Sequence, residues 1–166
     1  MGNVISSLFN DKLFYDQVFK SQVKHTISVV AAKEKIISQG DKHPFFCFIK
    51  SGSVQVVLNE KLLDQYPIHT IVATLSQNDI FGEFRMFDDY PASADVITVK
   101  ESEIVAIDVK SFRAFLDSDP QLGYKVFLEM LQVLVKRLHH SNDTVMHLMK
   151  SAVDFQKQLH QLIQEK

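Results

Sequence analysis

The last third of the chain carries a hydrophobic repeat that few folds can accommodate. Apolar residues fall at Phe127, Leu131, Leu134, Leu138, Val145, Leu148, Ala152, Phe155, Leu159 and Leu162. The steps alternate four and three once Ser141 is counted as the polar member. This is a heptad seam on one helical face, kept in phase for about five repeats. The phase survives the stretch SNDT at 141–144, where propensity alone would break a helix. Its preservation predicts one continuous helix. A stripe of that length is more than a monomer ordinarily exposes, so the spacing predicts a parallel coiled coil between two copies. The competing arrangements are a helix folded back on its own domain and an antiparallel hairpin broken near Asn142.

Ahead of this helix the period changes. HTISVV, EKIIS, FFCFI, SVQVVL, TIVATL, ADVITV and EIVAIDV are short, rich in β-branched residues and bounded by turn residues. Gln39-Gly40-Asp41 and Ser51-Gly52 mark tight turns, and EKLLDQYPIH at 60–69, with Pro67 in it, reads as a loop. Seven or eight such strands predict an antiparallel sandwich or jelly roll. SFRAFLDSD reads as a short helix, and Asp119-Pro120 starts the next one with proline at the first helical position. At the other end, residues 4–24 alternate apolar and polar at roughly helical spacing, with Leu8, Leu13, Val18 and Val23 among the apolar positions, and Asn10 and Asp11 are placed to cap a helix through Phe19. The expected fold is therefore α+β. An N-terminal helical segment (1–24) precedes an antiparallel β-roll or jelly roll (25–119), and a long C-terminal dimerisation helix (120–166) follows.

Charge and composition exclude several functions. With 18 Lys+Arg against 20 Asp+Glu, the net charge is −2, which offers no basic field for nucleic acid. The residues after Asn142 continue the heptad and leave no room for a DNA-binding module. The single cysteine, Cys47, lies inside the apolar run FFCFI. It reads as a buried structural thiol, compatible with a reducing cytoplasm. No apolar run approaches the ~20 residues that span a bilayer, and no secretory signal opens the chain. The opening MGNVIS fits the myristoylation pattern of Gly2 with Ser6. The pattern is short and an ordinary chain start accounts for it, so membrane association is expected only if Gly2 is acylated. His139 and Asp143 stand four apart, with His140 and His147 nearby, but no third ligand falls at matching spacing. They read as a solvated helix surface. With five glycines and no P-loop or Ser-His-Asp arrangement, the chain shows no catalytic constellation.

One order of motifs runs through the middle of the chain: KIISQGD with Gly40 and Asp41, FFCFIKSGSVQVV with Gly52, SQNDIFGE, YPASADV, and EIVAIDVKSFRAFLDSDPQL. From about residue 25 to about 145 this order resembles the cyclic nucleotide-binding domain of bacterial catabolite activators, cyclic-nucleotide-dependent kinases and gated channels. The family's phosphate-binding cassette reads Phe-Gly-Glu, about six residues, then Pro-Arg and small residues. The resemblance implies a short helix whose N-terminus faces the cyclic phosphate, a Glu that accepts from the ribose 2′-hydroxyl, and an Arg paired with the phosphate. It places the candidate ligand residues at Phe81, Gly82, Glu83, Phe84, Arg85, Pro91, Ala92, Ser93 and Ala94, with Ser141 and Asn142 reaching from the long helix.

The departure is at Ala92, which stands at the arginine position. A charged hydrogen bond is worth about 1.5–3 kcal/mol, so its loss moves a micromolar site toward millimolar. Arg85 matches a small residue in the family and is expected to point to solvent. Ser93 retains a hydroxyl donor, while Asp88 and Asp89 add repulsive charge. Ser141 reads equally as a base contact or as a register-fixing polar residue of a coiled coil. The expectation is a stand-alone, non-catalytic sensor of cyclic AMP or cyclic GMP with weak or altered binding, held as a homodimer. The alternative is a ligand-independent scaffold for an unidentified protein partner.

Overall fold

The computed structural model of the protein describes residues 22–62 and 66–164. The N-terminal helical segment expected over 1–24 falls almost wholly outside the described residues. Contacts divide the chain into two compact units, Met1–Glu129 and Met130–Lys166.

Among the described residues the first unit holds eight antiparallel strands: β1 (His25–Val30), β2 (Lys35–Ile37), β3 (Phe45–Ser51), β4 (Ser53–Leu62), β5 (Tyr66–Ser76), β6 (Ile80–Phe81), β7 (Asp95–Thr98) and β8 (Ser102–Asp108). They form two four-stranded sheets, in the orders β1-β8-β3-β6 and β2-β7-β4-β5. Ile37, Cys47, Ile49, Val54, Leu75, Phe81, Val96 and Ile104 come from both sheets and meet in one buried cluster. The α+β roll read from the sequence is the observed fold.

The run FFCFI is buried from Phe46 to Ile49, with Phe45 partly buried, because β3 is covered on both faces. Cys47 and Ile49 enter the cluster between the sheets. Phe46, on the opposite face, meets Phe112 of the helix α1 (Val109–Ser118), with ring centroids 5.1 Å apart. Burying each such ring contributes about 1.5–3 kcal/mol. Asp108 starts α1 by accepting from the Ser111 N–H at 2.8 Å. Cys47 is a free, fully buried thiol whose pKa burial pushes far upward. It is an inert core residue.

Two glycines close the turns that set the register. Gly52, between β3 and β4, has φ +98, and a Cβ there would sit 2.6 Å from the Ser102 Cα. Ser102 fills that space with a hydroxyl that accepts from the Ser53 N–H at 3.1 Å and donates to the Lys100 carbonyl at 2.8 Å. Gly40 has φ +87 but open space beside it.

The segment 60–69 corrects the sequence reading. Instead of a loop it continues the β4–β5 hairpin, with Lys61 opposite Pro67 and Leu62 opposite Tyr66. Pro67 is tolerated because β5 is the edge strand of its sheet and a missing N–H leaves no inner ladder broken. The two-residue strand β6 is too short to leave a periodic signal, and the sequence reading lacked it.

A second helix, α2, runs unbroken from Pro120 to Gln164, about 68 Å at 1.5 Å per residue. Asp119 caps it by accepting from the Leu122 N–H at 3.1 Å. The helix continues through 141–144, so the broken-hairpin alternative is excluded. Within the second unit Leu138, Val145, Leu148 and Phe155 of the seam are all exposed.

Candidate functional site

The segment from Phe81 to Ala94 leaves β6, turns once and returns extended into β7. Gly82 makes the turn in the left-handed region, at φ 71 and ψ 12. A Cβ on it would press on Ile37 Cδ1 at 3.2 Å and on His43 Cε1 at 3.3 Å, so both conformation and space select glycine. A single 3₁₀ turn, Glu83–Met86, follows. Its pattern alternates sharply: Glu83 and Met86 are buried, while Phe84 is half exposed. Among the described residues no buried side-chain nitrogen or oxygen lacks a partner, so the Glu83 carboxyl is accommodated inside the fold.

Arg85 does not point to solvent. Only 15% of its side chain is exposed. Its Nε–H donates to the His43 carbonyl at 2.7 Å, and one terminal nitrogen donates to the carbonyls of Asp88 at 3.2 Å and Tyr90 at 3.4 Å. The other lies 3.4 Å from the fully exposed carboxylate of Asp89. The planar fork of donors explains the departure from expectation: the chain offers three carbonyls at its reach, and a guanidinium satisfies them better than solvent-exposed flexibility would. Arg113 of α1 donates to the Met86 carbonyl and ties the far end of the turn to the helix.

The return limb is fixed by main chain. Gly40 N–H donates to the Ala92 carbonyl at 2.8 Å, and Ala92 N–H donates to the Asp41 carbonyl at 2.9 Å. The Ala92 methyl packs against the buried cluster of the roll. Pro91 and Ser93 are exposed and Ala94 is buried. A polar network absent from the sequence reading lies just behind. Asp95 accepts from the Gln39 N–H at 2.7 Å and pairs with Lys35 at 2.6 Å. The Gln39 side chain clasps both main-chain groups of Asn59 on β4, at 2.8 and 3.2 Å. Burial pushes the Asp95 carboxyl up, but hydrogen bonds from Lys35, Gln39 and Asn59 outweigh it and hold the group below its ordinary value. The motif QGD marked this turn, but nothing in it announced the partners on β4 and β7.

His43 is the other residue that sequence reasoning passed over. It is 8% exposed, donates from Nδ1 to the Phe45 carbonyl at 2.7 Å, and stacks obliquely on Phe45 with centroids 4.7 Å apart. No short-range pattern marks it, because its neighbours at Gly82 and Arg85 lie about forty residues on.

The structure thus gathers Phe81, Gly82, Glu83, Phe84, Arg85, Pro91, Ala92, Ser93 and Ala94 in one unit. Ser141 and Asn142 belong to the other unit and are exposed. On the cassette's outer side Phe87 meets Phe127 in the first turns of α2, with centroids 6.2 Å apart. Among the described residues no cluster of three or more His, Cys, Asp or Glu could hold a metal ion. No helix there is long and apolar enough to cross a membrane.

Comparison with known proteins places these features in a family context. The family model described as the cyclic nucleotide-binding domain matches residues 27–119. A CRP-like cAMP-activated global transcriptional regulator of Mycobacterium tuberculosis is 28% identical over 96 residues, which is 57% of this chain and 41% of that protein. A cAMP-dependent protein kinase regulatory subunit of Blastocladiella emersonii is 30% identical over 108 residues, 63% of this chain and 26% of that one. The chain therefore spans well under half the length of either relative. In fold it is similar to the crystal structure of a cyclic nucleotide-binding domain from Methylobacillus flagellatus. The TM-score is 0.66 at 22% identity, over 82% of this chain and 72% of the other.

Proposed function

The chain belongs to the cyclic nucleotide-binding domain family, and from that premise we propose that it is a non-catalytic regulatory module whose nucleotide binding is weakened at one position. The observation that carries this reading is Ala92. The cassette keeps its left-handed Gly82 and its buried Glu83, yet a methyl packed on apolar core stands where the family's phosphate-pairing cation would be. The one cation inside the cassette, Arg85, is engaged with main-chain carbonyls. A phosphate entering here would meet the Ser93 hydroxyl and main-chain N–H groups without a free counter-charge.

The exposed seam on α2 supports a homodimer as the working unit. Leu138 and Leu148 are 61% and 65% exposed, and a second copy is the partner whose heptad phase matches by construction. The contact of Phe87 with Phe127 supplies a route from cassette to helix. A ligand would act by preferring one of two cassette positions, a shift of population between them.

A thermal-shift titration of the full chain with millimolar cyclic AMP and cyclic GMP tests the reading. Ligand at a concentration equal to its dissociation constant stabilises the folded state by about 0.4 kcal/mol, and at a hundredfold excess by about 2.7 kcal/mol. A saturable upward shift at millimolar nucleotide is the expected outcome. A flat response favours the second reading, a scaffold for protein contacts independent of ligand. That reading has its own support in the Arg85 ties and the packed Ala92 methyl, which fill the cassette with its own atoms.

A further inference from the structure

We propose that the His43 imidazole is a pH-sensitive latch on the cassette: neutral, it holds the turn Gly82–Met86 in place, and protonated, it releases that turn. The geometry is a three-part clasp. The ring lies against Gly82, so close that a single added Cβ at that residue would press on its Cε1 at 3.3 Å. The main-chain carbonyl of His43 itself accepts from the Arg85 Nε–H at 2.7 Å. On its other side the ring stacks on Phe45 and donates Nδ1–H to the Phe45 carbonyl. One residue therefore packs on the start of the turn and hydrogen-bonds its middle.

The hydrogen bond from Nδ1 fixes the tautomer, leaving Nε2 as the nitrogen that takes up a proton. A proton there puts a cation into a site that is 92% hidden from solvent. The charged groups acting on the ring are Arg85 from the cassette, which repels the added charge, and Asp41 from its own loop, which attracts it. From β3 the ring meets the Phe45 ring and carbonyl. Burial and the guanidinium outweigh the helping groups and lower the His43 pKa. Linkage gives the direction. Any arrangement in which the ring regains water, and with it an ordinary pKa near ~6.5, gains population as pH falls below that value. β3 is anchored in the core by Phe46, Cys47, Phe48 and Ile49, so in the latch the ring regains water by parting from the Gly82–Met86 turn, which uncovers the buried Glu83 and Met86 as it lifts. The latch concerns the empty cassette and does not depend on nucleotide binding.

The test is an NMR titration of the 166-residue chain without nucleotide, from about pH 7.5 to about pH 5. It follows the His43 ring and the amides of Gly82, Arg85 and Phe87, with Ile49 and Ile104 as core references. The ring is expected to titrate with a midpoint below ~6.5. The cassette amides should move with the same midpoint while the core amides stay in place. In His43→Gln, which keeps an N–H donor without the titration, the pH-dependent movement of the cassette should fall several-fold. A ring midpoint at or above ~6.5, cassette amides that ignore it, or core amides lost together with the cassette would each overturn the latch. The wild-type titration decides the matter even if the variant does not fold.

Discussion

Arg85 donates its Nε–H to the carbonyl of His43 at 2.7 Å, joining the cassette to the loop that precedes β3. The contact is charge-assisted and part-buried, and it joins residues 42 apart in sequence. Such bonds contribute about 1.5–3 kcal/mol each. Arg85→Ala also frees the carbonyls of Asp88 and Tyr90, which are near solvent and find water. We expect a loss of about 1–2 kcal/mol in urea denaturation, read as a lower midpoint with unchanged slope. A loss under about 0.3 kcal/mol would mean that the guanidinium holds nothing together.

Gly52 and Gly40 share a left-handed backbone but differ in surroundings, and the pair separates conformational strain from collision. Alanine at Gly40 meets open space, so only strain remains, about 1 kcal/mol. Alanine at Gly52 meets the Ser102 backbone at 2.6 Å as well, and the turn must move. Overpacking adds about 1–3 kcal/mol to the strain. Gly52→Ala should therefore melt clearly below Gly40→Ala in calorimetry. Equal melting temperatures would show that the β3–β4 turn yields without cost.

These turns also show what a sequence can carry. The strand runs were legible because β-branched residues cluster between turn residues, and HTISVV marked β1 to the residue. The continuity of α2 was legible from the phase of its seam. Pro67 misled because its effect depends on whether β5 is an edge, which only the sheet order settles. Gly82 and Glu83 were singled out through the resemblance to the family's cassette. The role of Arg85 was not, since its partners are carbonyls, and every residue type carries one. His43 and Asn59 lay hidden for the same reason: their partners are distant in sequence and the pairing is made by the fold.

Asp95 gives a prediction in pH. Its carboxylate is 8% exposed, paired with Lys35 and hydrogen-bonded to Gln39, and its pKa is lowered by those partners despite burial. A lowered folded-state value means that the unfolded chain binds the proton more readily. The stabilisation is then fully present above the ordinary carboxylate value of ~3.9 and disappears as pH falls through the folded-state value. Asp95→Asn should lower stability by about 1–3 kcal/mol near neutral pH, and the gap to the wild type should narrow as pH falls below the ordinary carboxylate value and through the lowered folded-state one. A gap that is constant with pH would place its origin in packing instead of charge.

The seam of α2 is tested by charge. Leu138 and Leu148 are exposed in the single chain, so Leu138→Glu and Leu148→Glu should leave the β-roll intact by circular dichroism. In a paired helix each would bury a carboxylate against its copy, at a cost of several kcal/mol. Sedimentation equilibrium should show a dimer for the wild type and a monomer for the double variant. A wild-type monomer at micromolar concentration would remove the coiled coil from the proposed function.

Ala92→Arg asks whether the cassette is a nucleotide site awaiting one residue. The Ala92 main chain is pinned to Gly40 and Asp41 by two hydrogen bonds, so a longer side chain leaves the limb in register. The methyl it replaces is only partly buried, which leaves a guanidinium an exit toward the ligand side. A restored charge-assisted pair contributes about 1.5–3 kcal/mol, or roughly ten- to a hundredfold in affinity. Isothermal titration with cyclic AMP should therefore show a dissociation constant lower by at least about tenfold than that of the wild type. An unchanged constant would mean that the pocket recognises its ligand through other groups or is closed by its own side chains. The scaffold reading would then become the better account of why Arg85 turns to its own loop.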